Sequence, residues 1–274
     1  MENKISEKDV EKARQEDKRI LPDIKNIKTQ ETFTLPSKGY VYAPEDNIGS
    51  SLTLRRMTTA EDKMRLRNAS DDEIKKAILQ ACILNENVDA GKLKLVDANY
   101  LFFRLRCISL LNDMYKVTCR CNRCGTEFVH ELNLTQVPVT FLTKDKLKNM
   151  SFELPLSGDK IELKYPSLND LIRIGTQLQE YFDKFPNADR GETAYTISGV
   201  LYLGLVNGAH LLTEELEYYL DHMDIVDGKV LRDHISQLDD YYGFQNNLKT
   251  KCPKCGSEVT HGLPLTSELF NPSN

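Results

Sequence analysis

The chain has 274 residues, of which 40% are hydrophobic and 28% are charged, a composition typical of a folded protein with ample length for a core. Its formal net charge is −5 at pH 7, which argues against a protein whose main task is to bind nucleic acid, because such proteins usually carry a basic excess. The N-terminal stretch MENKISEKDVEKARQEDKRI is charged and lacks the apolar segment of a signal peptide, so we expect a cytosolic protein.

The first predicted element is a charged N-terminal arm, residues 1–31, with only scattered apolar positions. This composition favours a solvated segment that is helical from Ser6 to Arg19 and ended by Pro22. A flexible tail and a partner-binding arm both fit the pattern.

After the arm, one order of sequence patterns occurs twice, in residues 32–135 and in residues 136–274. Each copy begins with Phe-x-Leu-Pro, a glycine turn, an alternating strand, and Ser or Thr shortly before an Asp; the copies read FTLPSKGYVY…SLTLRRMTTAED and FELPLSGDKIELKYPSLND. The pattern predicts a β-hairpin leading into a capped helix. An apolar helix ending in Asn follows (IKKAILQACILN and ISGVLYLGLVN), and then a further helix (VDANYLFFRLRCISLL and VDGKVLRDHISQL).

The repeated order predicts an α+β fold built from an internally duplicated hairpin-plus-helices unit. Its two domains are residues 32–135 and 136–274, each ending in a cysteine motif and both packed as one body. The alternative is chance recurrence of Phe-x-Leu-Pro and apolar helices. One feature departs from a clean copy, because the first hairpin loop is much longer than the second.

The stretch from Thr193 to Thr213 is the best candidate for a membrane span, since it is uncharged when His210 is neutral. It is only marginally long, and it contains Ser198, Asn207 and three glycines. We therefore interpret it as a buried helix.

Four of the seven cysteines lie in two similar motifs, CNRCGTEFVHELNLT at residues 121–135 and CPKCGSEVTHGLPLT at residues 252–266. Each Cys-x-x-Cys-Gly turn supplies two sulfur ligands, whereas structural zinc takes four at tetrahedral corners. The two motifs together therefore predict a zinc ribbon that joins the two copies. Four thiolates leave no open coordination position, so the Zn²⁺ is expected to be structural. The predicted ligands are Cys121, Cys124, Cys252 and Cys255.

Three alternatives concern the residues around these motifs. A thioredoxin-type redox motif places its cysteines before a helix, but the residues after each glycine here alternate as in a strand. Cys119 lies two residues before Cys121 and is an alternative ligand in its place. His130 and His261 occupy equivalent positions and are expected to pack, or to donate toward a thiolate or carbonyl, rather than to bind the metal.

No sequence motif of an enzyme is present. Phosphate-binding loops, GxGxxG, HExxH and GxSxG are all absent. Acidic pairs occur without a histidine or metal-ligand context, and nothing assembles a nucleophile with a base. We therefore expect a protein that is not an enzyme and has no small-molecule substrate.

The runs LPSKGYVY, LTLRRMTTAEDKMRL and ELPLSGDKIELKYPSLND, together with the cysteine motifs, resemble the baseplate hub assembly chaperone family of T4-like contractile-tailed bacteriophages. The resemblance covers Thr32 to Leu265. It implies a non-enzymatic role in building the hub at the tip of the tail tube, through contacts with other hub and tail proteins. The expected locations are the host cytoplasm during assembly and the tail baseplate of the virion.

Two further interpretations bear on partners. Tyr40 and Tyr42 lie in the first hairpin loop and are candidate interface residues, because tyrosine is favoured at interfaces; covering the hairpin is the alternative role. The competing hypothesis for the whole protein is a zinc-ribbon regulator that binds nucleic acid. Its support is the set of basic residues near the cysteine motifs, Arg120, Arg123, Lys249, Lys251 and Lys254.

Overall fold

Short antiparallel strands alternate with helices along the chain. The computed structural model describes residues 30–270, apart from 111–112, 148–149, 188, 190–195, 198, 239–241 and 245. Most of the charged N-terminal arm, including the helix expected from Ser6 to Arg19, lies outside the described residues.

The described strands form four two-stranded antiparallel sheets and one three-stranded antiparallel sheet. The pairs are β1–β2, β3–β4, β10–β11 and β5–β9, and a three-stranded sheet has the order β6–β7–β8. Their bounds are β1 Gln30–Thr34, β2 Ser51–Arg55, β3 Met114–Arg120, β4 Glu127–Asn133, β5 Val139–Thr140, β6 Ser151–Glu153, β7 Lys160–Leu163, β8 Leu203–Val206, β9 Gly243–Phe244, β10 Leu248–Lys251 and β11 Glu258–His261.

The helices follow the hairpins, as expected for an α+β protein. They are α1 Thr59–Met64, α2 Asp71–Cys82, α3 Leu95–Leu110, α4 Lys144–Leu147, α5 Leu168–Lys184, α6 Thr213–Asp221 and α7 Ile225–Leu238. Residues 196, 197 and 199–202 are also helical, and short 3₁₀ turns occur at Pro44–Asp46, Ala90–Lys92, Leu134–Gln136 and Ser267–Phe270.

The first hairpin buries one face of β2 because its apolar residues alternate. Phe33 pairs with Leu52, and Leu52 and Leu54 are both buried. The long loop between the strands turns at Gly39, whose φ of 80° is favourable only for glycine and whose added Cβ would lie 3.0 Å from the Gly49 carbonyl carbon.

Capping boxes start the helix that follows the hairpin β1–β2 and the helix that follows the hairpin β6–β7. The Thr58 hydroxyl caps α1, and Glu61 bonds back to the Thr58 backbone N–H. The Ser167 hydroxyl caps α5, and Asp170 bonds back to the Ser167 backbone N–H. The predicted sequence of hairpin and capped helix is therefore present in both halves of the chain.

Two large clusters of buried side chains form the core. The first is built on β1–β2, α2 and α3, and it also takes in Leu263, Leu269 and Phe270 from the C-terminal segment. The second is built on β6–β7–β8, α5 and α7. Leu168 is fully buried in the first cluster although it belongs to the second half, so the halves share a core.

The two predicted apolar helices end earlier than expected. Helix α2 ends at Cys82, and Ile83 forms a β-bridge with Leu54. In the second half, Leu203–Val206 are not helical but form β8, which pairs with β7. The prediction was wrong here because a short apolar run has no periodicity that distinguishes a strand from a helix.

The stretch from Thr193 to Thr213 is therefore not one continuous helix where the structure describes it. Helical residues up to 202 are followed by β8 and a turn. Within the described part of the chain, no helix has the length and apolar character needed to span a bilayer.

Candidate metal centre

The hairpins β3–β4 and β10–β11 hold the two cysteine motifs in the same local conformation. Each glycine after the second cysteine has positive φ, 69° at Gly125 and 71° at Gly256. The Gly125 N–H donates to the Cys121 carbonyl at 2.8 Å, and the Gly256 N–H donates to the Cys252 carbonyl at 2.9 Å. Because these turns are closed by backbone hydrogen bonds, each one fixes the positions of its two cysteines.

The four predicted ligand cysteines lie together. Their Sγ atoms are all within 4.8 Å of one another, and none is in a disulfide. The Sγ atoms of Cys121 and Cys255 are 3.6 Å apart, as are those of Cys124 and Cys252. A tetrahedral zinc with Zn–S bonds of about 2.3 Å requires sulfur separations of about 3.8 Å. The arrangement therefore fits a tetrahedral metal ion with four thiolate ligands.

Hydroxyl groups at equivalent positions contact these sulfurs. The Ser257 Oγ atom lies 3.1 Å from Cys121 Sγ and 3.0 Å from Cys255 Sγ, and the Thr126 Oγ1 atom lies 3.3 Å from Cys124 Sγ. The Ser257 hydroxyl and backbone N–H groups of the turn lower the pKa of the Cys121 thiol to about 6. These hydrogen bonds favour the thiolate of Cys121, and the thiolate is the form that binds metal.

The pKa of the Cys252 thiol is shifted in the opposite direction to that of Cys121. The Cys255 backbone N–H favours its thiolate, but burial and hydrogen bonds shared with the Cys124 and Cys255 sulfurs outweigh this effect and raise the pKa of Cys252 to about 11. Burial and the hydrogen bonds with neighbouring sulfurs therefore favour the protonated form of Cys252. A divalent cation at the centre would favour four ionised sulfurs.

Cys119 lies beside the site but outside the set of four sulfurs. It is buried with Cys121, Cys252 and Val259, and its own Sγ contacts the Val117 carbonyl at 3.8 Å. Burial raises the pKa of the Cys119 thiol. The geometry therefore brings Cys121, not Cys119, to the other three cysteines.

The two equivalent histidines contact each other. His130 Nδ1 lies 2.8 Å from His261 Nε2, and the ring planes are inclined by 74°. Two roles were expected for these histidines, packing or donation toward a thiolate or carbonyl, and the contact between the two rings agrees with packing. The pair connects the two hairpins at a second point.

Tyr40 and Tyr42 have different environments. Tyr40 is 42% exposed, with the Lys144 ammonium 5.4 Å from its ring centre, and stays a candidate interface residue. The Tyr42 hydroxyl donates to Asp97 Oδ2 at 2.8 Å and accepts from the Lys94 backbone N–H at 3.0 Å. These hydrogen bonds give Tyr42 a structural role in the hairpin loop, and its role as an interface residue stays a prediction.

Two buried carboxylates were not among the predicted site residues, although both lie in the aligned Val-Asp pairs at the start of α3 and α7. Asp97 accepts from the Ser37 backbone N–H at 3.0 Å, and Asp227 accepts from the Leu156 and Ser157 backbone N–H groups at 2.9 Å each. Each carboxylate holds the hairpin loop of its own half. The shared Val-Asp pair at a helix start was the available signal.

The fold and the site define an α+β protein in which a four-cysteine cluster ties together two hairpins far apart in sequence. A family model described as T4 bacteriophage base plate protein matches residues 28–271, and the chain belongs to this family. The match confirms, at the level of the family, the resemblance to T4-like phage baseplate proteins, and it implies phage proteins as partners and the tail baseplate as location. No curated protein sequence and no solved structure matches the chain.

Proposed function

We infer that the protein is a non-enzymatic structural or assembly component of a contractile phage tail, acting in assembly of the baseplate hub through protein–protein contacts. The observation that carries this proposal is the family match, which extends over residues 28–271. The four-cysteine cluster agrees with a structural role, because a site with four thiolates has no open position for a substrate or reactive water.

The proposal includes a structural Zn²⁺ held by the four cysteines of the cluster. When bound, the ion supplies a cross-link between residues near 120 and residues near 255. Closing so long a loop restricts the unfolded chain, and metal binding contributes directly to folding free energy. The ribbon would therefore keep the two halves in one fixed arrangement for docking.

The proposal also treats residues 32–135 and 136–274 as two copies of one unit. Three matched features support the duplication. Both halves have a hairpin followed by a capping box, both have an aspartate that holds the hairpin loop, and both end in a cysteine hairpin. The cysteine hairpins have the same strand register, with Val117 opposite His130 and Leu248 opposite His261.

The expected partners are other hub and tail proteins, met in the host cytoplasm during assembly. The nucleic-acid alternative is disfavoured by charge pairing on the cysteine hairpins. Lys249 forms an ion pair with Glu258 at 2.9 Å, and Arg120 and Lys251 lie opposite Glu127 and Glu258 in the strand register. Mixed charges make a poor phosphate-binding surface.

Disruption of the gene in the phage tests the role. Infection with a nonsense mutant is expected to yield particles without a complete baseplate hub, visible by electron microscopy, and expression of the wild-type protein in trans should restore them. Normal baseplates in the mutant would overturn the proposal. An electrophoretic shift at low salt tests the alternative, and salt-dependent DNA binding would favour it.

A further inference from the structure

The contact between the two halves at the start of α3 has no counterpart at the start of α7 among the residues that the structure describes. The Leu95 N–H donates to the Pro166 carbonyl at 2.9 Å, and the Leu168 N–H donates to the Leu93 carbonyl at 3.0 Å. Leu168 is fully buried. The segment Pro166–Leu168 thus docks on the chain just before and at the start of α3, by two backbone hydrogen bonds and one leucine side chain.

The corresponding segment of the second half, Met223–Ile225, has no segment docked on it among the described residues. Asp97 and Asp227 hold their hairpin loops in the same way, so the two helix starts can be aligned on them. This alignment places Ile225 where the first half has Leu95. Leu95 packs against the first core, whereas Ile225 is 81% exposed. A large aliphatic side chain at a docking position is therefore left in solvent.

A groove lies next to this open position. It has a volume of about 760 Å³ and is lined on its apolar side by Leu156, Leu211, Tyr218 and Met223. Leu156 and Tyr218 are 61% and 66% exposed. Exposed apolar side chains grouped around a groove are typical of protein interaction sites.

The charge of the groove is negative. Its rim contains Glu214, Glu215 and Asp224, and no lysine or arginine is among its described lining residues. A binding partner with positive charge would gain from this field, and association would depend on salt. The contact at the start of α3 shows the pattern of chain that such a site accepts, namely Tyr-Pro-Ser-Leu at residues 165–168, which docks on the first half.

We propose that the groove and Ile225 form a docking site for a positively charged, extended segment of another protein, in which an aliphatic residue follows a helix-capping residue as Leu168 follows Ser167. The aliphatic side chain enters the groove beside Ile225, the partner backbone pairs with Met223–Ile225, and basic flanking residues face the acidic rim. The site gives the proposed assembly component a defined docking surface. The inference depends on the proposed function only for the identity of the partner.

The test uses the full chain and a fluorescent peptide with the sequence of residues 164–173, KYPSLNDLIR, extended by two lysines at its N-terminus. Saturable binding is expected by fluorescence anisotropy, with at least tenfold weaker binding to the Ile225→Asp variant. Leu66→Asp is the matched control, since Leu66 is 86% exposed in the other half and the charge change is the same. This variant should bind as the wild type does.

Two further measurements complete the design. A peptide in which the position of Leu168 carries Asp should lose binding, and raising the salt concentration should weaken the wild-type complex. No saturable binding, or equal binding to the Ile225→Asp and wild-type chains, would overturn the proposal. Because the peptide assay needs no phage, its failure is distinct from failure of the baseplate role.

Discussion

His130 and His261 occupy equivalent positions of two hairpins and meet across the contact between them, with Nδ1 of one ring 2.8 Å from Nε2 of the other. Each hairpin contributes one histidine and two cysteines at equivalent positions to the contact between β3–β4 and β10–β11. The contact is therefore nearly symmetric. The symmetry does not extend to the starts of α3 and α7, because Leu95 packs against the core whereas Ile225 is exposed.

Measuring the metal bound to cysteine variants tests whether Cys121 or Cys119 is the ligand. Purified wild-type protein is expected to contain one zinc per chain by elemental analysis. Cys121→Ser should lose the metal and several kcal/mol of stability, because structural zinc contributes on the order of 10 kcal/mol in small metal domains. Cys119→Ser is the matched control and should keep the metal, since its sulfur lies outside the cluster. Metal loss in the Cys119 variant alone would contradict the assignment.

The histidine pair predicts a pH dependence of stability. Burial, and then the proximity of His130, lower the pKa of His261 below its usual 6.5. Below about pH 6.5 the unfolded chain therefore binds more protons at this position than the folded chain does. The free energy of unfolding is undiminished by His261 above that pH and decreases as the pH falls below it. Urea unfolding at pH 7.5 and 5.5 should show a smaller loss for His261→Phe than for wild type. Equal losses would show that the pair is not responsible, since metal release at low pH affects both chains.

Removal of the hydroxyl is expected to lower the free energy of unfolding at Tyr42 but not at Tyr40. Tyr42→Phe leaves the buried Asp97 without one donor and should cost about 1–3 kcal/mol in unfolding free energy. Tyr40→Phe should leave stability unchanged, because its ring is exposed. Chemical denaturation of both variants gives the comparison, and equal stabilities would argue against the structural role of Tyr42.

The buried capping box of α1 predicts acid sensitivity. Burial opposes ionisation of Glu61, but hydrogen bonds from Arg55 and Thr58 outweigh it and lower its pKa to about 2. Since the folded-state pKa is depressed, this stabilisation is present above about pH 4.5 and is lost as the pH falls toward 2. Glu61→Ala should cost about 1–2 kcal/mol at pH 7. The matched change in the exposed capping box of α2, Glu73→Ala, should lower the stability less than Glu61→Ala does. Thermal unfolding of both variants gives the comparison, and a larger loss for Glu73→Ala would contradict the role of burial.

Local patterns in the sequence predicted the parts of the fold whose contacts are close along the chain. The alternating apolar residues of β2 and β7 predicted strands, because period two buries one face. The Ser or Thr before an acidic residue marked the starts of α1 and α5, since a capping box spans only four residues. The two Cys-x-x-Cys-Gly motifs indicated the four sulfurs, because one motif supplies only half of a tetrahedral set.

The sequence by itself determined the local elements and the chemistry of the cysteine cluster, because both follow from residue types at short, fixed spacings. Only the tertiary structure decided that Leu203–Val206 pair with β7, that His130 meets His261, and that Tyr42 is held by Asp97. It also decided that Leu168 covers the start of one helix while Ile225 is left exposed at the other. These outcomes depend on which surfaces meet across long sequence separations, and no local periodicity records that.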